Sequence, residues 1–149
     1  MIDNYYSISD LVIKTHLIST VIMVGVIWVI QLLHYPSFHY VEKNNYARFQ
    51  HFHMTRISFI VLPAMILELG SGILLITLPS FLYDINSVFL IAFLFLIIIW
   101  CTTATIFSGL HQKLTNGYDR VLVDKLVNLN WIRTFLWTTR LFLLFSIMA

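Results

Sequence analysis

From Val88 to Leu110 the chain reads VFLIAFLFLIIIWCTTATIFSGL, without one charged side chain. A helix needs about 20 consecutive apolar residues to cross the hydrocarbon core of a bilayer, and this stretch meets that requirement. Leu11 to Leu33, Ile57 to Leu78 and Leu126 to Ala149 are near or above the same length. Of the 149 residues 59% are hydrophobic and only 11% charged, whereas soluble domains carry about 25% charged residues. The chain therefore reads as an all-α integral membrane protein, a single four-transmembrane-helix domain over residues 1–149. Short loops imply an up-down-up-down bundle, with helices over about 9–35, 46–78, 87–114 and 118–149. The start, Met1-Ile2-Asp3-Asn4-Tyr5-Tyr6, lacks the cationic opening of a signal peptide, so the first stretch is expected to stay as a helix.

Polar punctuation separates these stretches. Pro36 is expected to end the regularity of the first helix, and Asn44 and Asn45 are placed to cap the second. Residues 79–86 make the next connection, with Asn86 or Ser87 as cap, and Asn116-Gly117 makes the last turn. Pro63 should kink the second helix, while Gly70 and Gly72 permit close helix approach. The end of the bundle holding both termini is called side A here, and the opposite end side B. Side B carries Lys43, Arg48, Arg56, Lys113, Arg120 and Lys125, while side A has Lys14 beside the acidic Asp3, Asp10 and Asp84. By the positive-inside rule side B faces the cytoplasm and both termini lie outside, in a cell inner membrane.

Ionisable residues within the apolar stretches each cost roughly 2.5–3.5 kcal/mol at mid-depth on insertion scales, so each needs a partner or a function. Counted from side A, Glu68 and Arg140 lie at the same depth and His16 slightly shallower, which predicts an intramembrane ion pair with His16 beside it. A second layer gathers at side B, with Gln31, His34, His39, His51, His53, Arg56, His111, Asn128, Asn130 and Arg133. Helical spacing gives each helix one polar or small stripe: His16, Thr20, Met23, Ile27, Gln31 and His34 on the first, and His53, Ala64, Glu68, Ser71 and Gly72 on the second. The third offers Trp100, Thr103, Phe107 and His111, and the fourth Asn130, Arg133, Trp137 and Arg140. Such stripes face the bundle interior and could line a polar cavity open toward the cytoplasm.

His51 and His53 are two apart and fall on different helix faces, so His53 is the inward one. There is no compact HExxH or CxxC signature, so a metal would need ligands from separate helices. His34 and His53, joined by a short loop and at similar depth, are the leading metal-binding pair, with His111 as a further ligand candidate. Neutral histidines from different helices suit haem iron, with Arg56 and Arg133 available for anionic propionates. Any one of these histidines could equally be a hydrogen-bonded interfacial residue.

Leu62-Pro63-Ala64-Met65-Ile66-Leu67, followed by Gly72-Ile73-Leu74-Leu75, resembles the second helix of HemJ-type protoporphyrinogen oxidases. Tyr35-Pro36 after a Trp-bearing first helix is similar to theirs as well. The resemblance implies a small helical membrane oxidoreductase that binds haem or a porphyrin. The chain departs from that pattern at Ser37, where the family has Arg, and at Asn86-Ser87, where it has Lys, so the oxidase reaction itself is not carried over. Two other classes stay open: a structural or accessory subunit of a larger membrane complex or homo-oligomer, and a small transporter in which Glu68 relays protons. The expected surroundings are the lipid bilayer, and nothing points to nucleic acid.

Overall fold

The computed structural model describes residues 2–77 and 87–148, with side chains over 8–77 and 87–147. The connection 79–86 with Asp84 and Asn86, and the side chains of Asp3, Tyr5 and Tyr6, lie outside the described residues. All regular structure among the described residues is helical. The first helix runs over Ile2–Val29, passes through a π-helical turn at Ile30–His34 and continues through Tyr35–Ser37 into a 3-10 turn at Phe38–Tyr40. The second is Tyr46–Thr77, and the third is Ser87–Thr102 followed by a π-helical turn at Thr103–Phe107 and a final piece at Ser108–Leu114. The fourth is Arg120–Met148.

Several local signals act differently from the sequence reading. Pro36 sits at the start of the short helix Tyr35–Ser37 rather than ending the run. Proline fits there because the first turn needs no N–H from it, and the π turn before it realigns the backbone. Asn45 donates its side-chain amide to Glu42 at 2.9 Å. Asp119 caps the fourth helix, its Oδ1 accepting from the backbone N–H of Val121 at 2.8 Å and Leu122 at 3.1 Å. Gly117 has φ +134°, which only glycine adopts readily, and so closes the turn after Leu114.

Three helical runs are long and apolar enough to cross a membrane: Ile8–Tyr40, Lys43–Thr77 and Ser87–Leu114. The fourth helix, which carries Arg133 and Arg140, is as long but less apolar. The outer face of the bundle is apolar, while polar and charged side chains are buried among the apolar core residues. Leu32, Leu33, Phe59, Ile66, Leu94 and Phe142 are exposed, while His16, Gln31, Gln50, His53, Glu68, Asn130, Arg133 and Arg140 are buried. Such an inversion matches a protein whose outer solvent is lipid.

Cross-helix contacts run in opposite sequence directions. His16 meets Ser71, Thr20 meets Glu68 and His34 meets His53, so the first and second helices are antiparallel. Trp28 with Thr138 and Gln31 with Asn130 make the first and fourth antiparallel too. The third packs on the fourth, whereas the second and third meet chiefly through Ser108–Leu114. The seam between these two helices is therefore closed at its side B end and loose below that contact, toward mid-bundle.

Close approach is real at one glycine of the pair. A Cβ on Gly72 would lie 2.9 Å from the Phe93 ring and 3.1 Å from His16, whereas one on Gly70 would meet nothing within 4 Å. Cys101 is exposed on the outer face.

Candidate functional site

The inward stripes build two layers. At the side A layer, Arg140 Nη1 pairs with Glu68 Oε1, and both side chains are wholly buried. Thr20 donates to Glu68 Oε1 at 2.7 Å, and the Trp137 indole N–H donates to Oε2 at 3.1 Å. Arg140 Nε donates to the Ala92 carbonyl at 2.8 Å, and Nη2 donates to His16 Nε2 at 3.2 Å. A guanidinium can only donate, so His16 Nε2 accepts and the proton is on Nδ1. Nδ1 lies 3.0 Å from both the Glu68 carbonyl and Ser71 Oγ. Every polar group here has a partner and the two charges neutralise each other, so this layer needs nothing further.

The side B layer is built differently. A partly open cavity of about 200 Å³ lies against the loose seam. Ile27, Ile30 and Tyr35 of the first helix, His53 and Met65 of the second, Phe107 and His111 of the third, and Arg133 and Trp137 of the fourth all line it. Leu62 and Ser108, on its second- and third-helix walls, are exposed. Both π turns lie at this level and contribute Ile30, Thr103 and Phe107 to the lining. A π turn inserts one residue into the helical register and is frequent at functional sites.

Of the residues singled out from sequence, His34, His53, His111 and Arg133 gather here. His34 Nε2 and His53 Nδ1 are 2.7 Å apart, so the two imidazoles bond to each other. They act in series and do not both face one ligand. The other ring nitrogen of His53, Nε2, is buried without a hydrogen-bond partner. Where His53 Nδ1 donates to His34, Nε2 presents a lone pair; in the other tautomer it presents an N–H. In both cases one unanswered function is held at the cavity.

His111 spends both nitrogens on protein partners, Nε2 with Tyr35 Oη at 2.9 Å and Nδ1 with Gln50 Nε2 at 2.9 Å. The Gln50 amide also reaches the His111 carbonyl at 3.3 Å, which identifies it as the donor to both. His111 is thus a strut, not an open ligand. Arg56 is exposed, its guanidinium 5.5 Å from the Phe52 ring centroid, and does not join the cavity. His51 is exposed as well, and His39 bonds Tyr118 and Asp124 at the surface. Among the described residues no group of three or more His, Cys, Asp or Glu could hold a metal ion.

Arg133 is the charged member of the site. Its Nε and Nη2 donate to Asn130 Oδ1 at 3.0 and 2.5 Å, Nη2 also donates to Tyr35 Oη at 3.1 Å, and Nη1 reaches Thr103 Oγ1 at 3.4 Å. The guanidinium lies 3.5 Å from the Phe107 ring centroid. These partners are all neutral, and no ion pair among the described residues includes Arg133, which is only 6% exposed. Ring and dipoles solvate the charge in part, the cation–π contact supplying about 2 kcal/mol when desolvated. Burying an ion without a counter-charge costs on the order of several kcal/mol, so the layer is left electrostatically incomplete.

Tyr35 and Gln50 belong to this site too, although neither is among the candidate site residues that the sequence singles out. The π turn at Ile30–His34 brings Tyr35, next to Pro36, into the interior, where it is 3% exposed. Compared with family models, curated proteins and solved structures, the chain matches none.

Proposed function

We propose that the chain is a four-span membrane protein whose side B pocket binds haem or a porphyrin and serves membrane redox chemistry. The unpartnered, buried His53 Nε2 at the cavity carries this reading. A ligating histidine commonly has its other nitrogen held by a second group, which fixes the ring and its tautomer. His34 stands in that position toward His53. The residues present therefore fit the group: His53 as axial ligand, His34 as its orienting partner, Arg133 as the cation for an acidic substituent. Bound iron would supply one-electron exchange at a potential set by the axial ligand and its hydrogen bonds.

The cavity alone is smaller than the usual ligand pocket of about 300–1,000 Å³. Its open seam between the second and third helices gives a flat macrocycle room to extend toward the bilayer. The fourth helix spans because its two arginines are turned inward and its outer face, with Ile132, Phe135, Phe142 and Phe145, is apolar. Six basic residues at side B against Lys14 at side A support a reading with side B in the cytoplasm, in a cell inner membrane, and the termini outside. A cysteine at Asn116 is then expected to resist impermeant thiol reagents in intact cells.

The absorbance spectrum of detergent-purified protein tests the cofactor. The expected result is a Soret band in protein from haem-sufficient cells, or after haemin addition, that is lost or shifted in His53→Ala. Folded, colourless protein that takes up no haemin would end the haem reading.

A further inference from the structure

The hydrogen-bond directions around Tyr35 determine what kind of head group the pocket receives. Because the Gln50 amide donates to His111 Nδ1 and to the His111 carbonyl, His111 carries its proton on Nε2 and donates it to Tyr35 Oη. Arg133 Nη2 donates to the same oxygen. Tyr35 Oη is thus an acceptor twice over, and its own hydrogen has no acceptor among these partners. Tyr35 lines the cavity, and that hydrogen is available there. Arg133, which also lines the cavity, has five N–H hydrogens, and its four contacts leave one on Nη1 without a partner among them. The pocket thus offers a phenolic O–H and a guanidinium N–H, beside a positive charge that no described carboxylate neutralises. Its remaining lining is largely aliphatic, and its opening lies in the seam that faces lipid.

We propose that the pocket selects membrane-borne amphiphiles bearing a carboxylate, which Arg133 and Tyr35 hold while the apolar body lies along the seam between the second and third helices. Two oxygens of one group would answer both donors and supply the missing negative charge. A neutral ester of the same body could accept a hydrogen bond but would leave the buried charge unmatched. This inference rests on the cavity being a ligand site, but not on iron. The carboxylate could belong to a porphyrin or to an acyl chain.

The test measures binding to purified full-length protein in detergent with two matched pairs of probes: metal-free protoporphyrin against its dimethyl ester, and a fluorescent long-chain fatty acid against its methyl ester. At least one free acid is expected to bind about tenfold or more tightly than its ester. Arg133→Gln should bring that ratio near one, and Tyr35→Phe should reduce it several-fold. Discrimination within the porphyrin pair alone identifies a macrocycle as the source, and within the fatty-acid pair alone an acyl chain. Should Arg133→Gln not fold, the wild-type ratio and Tyr35→Phe still decide. Equal binding of acid and ester in both pairs, binding of neither acid, or a ratio that survives Arg133→Gln would overturn the proposal. A wild type that discriminates acid from ester yet gives no Soret band with haemin would sink only the haem reading.

Discussion

Two buried arginines on one helix, Arg133 and Arg140, lie two turns apart and meet opposite circumstances. Arg140 has a carboxylate, a carbonyl and an imidazole, with Thr20 and Trp137 completing the carboxylate's own bonds. Arg133 has an amide oxygen, two hydroxyls and a ring, and a cavity beside it. A closed network that satisfies all its members fixes helix register and leaves no valence for a ligand. An open one, with a net charge and an orphaned imidazole nitrogen, is a place where something else completes the bonding. Trp137 joins the two, lining the cavity while its indole N–H bonds Glu68.

The difference can be broken most forcefully at the side A layer. Glu68→Gln or Arg140→Gln alone should cost about 3–5 kcal/mol, because each leaves a buried charge unpaired. The double substitution should cost less than the sum of the two, as a double-mutant cycle by unfolding in detergent would show. Additive losses would mean that the pair does not couple. Packing in the same layer gives a smaller effect: Gly72→Ala should lose about 1–3 kcal/mol, since its Cβ would press on Phe93 and His16. Arg133→Gln should change the stability of ligand-free protein by about 1 kcal/mol or less, since it removes an unneutralised charge along with its hydrogen bonds. A loss as large as that of Arg140→Gln would show that the side B layer is closed too. Smallest of all, Gly70→Ala should leave stability unchanged or raise it by up to about 1 kcal/mol, since that Cβ meets nothing and alanine favours helix.

The helical class and the polar stripes were readable from the sequence because both follow from composition and periodicity. Equal depth from side A makes Glu68 and Arg140 natural partners, and the structure pairs them. The side B geometry was less accessible. Spacing assigned Arg56 to the pocket as one turn beyond His53, yet its side chain ends over Phe52 on the outer face. A regular 3.6-residue count also passes over the π turns at Ile30–His34 and Thr103–Phe107, which change what faces inward beyond them. Tyr35 thereby enters the interior, which its place beside Pro36 does not reveal. Nor does spacing reveal that His34 and His53 bond to each other, which turns an expected ligand pair into one candidate ligand and its support.

The contrast between a closed and an open layer is tested most directly by thermal unfolding of the detergent-purified protein with and without haemin. A ligand that binds only the folded state at a concentration well above its dissociation constant raises the midpoint, here by on the order of 5 °C. That rise is expected in wild type and in Gly70→Ala, and should disappear in His53→Ala. An unchanged midpoint in wild type, or an equal rise in His53→Ala, would contradict the proposal that the side B layer binds haem.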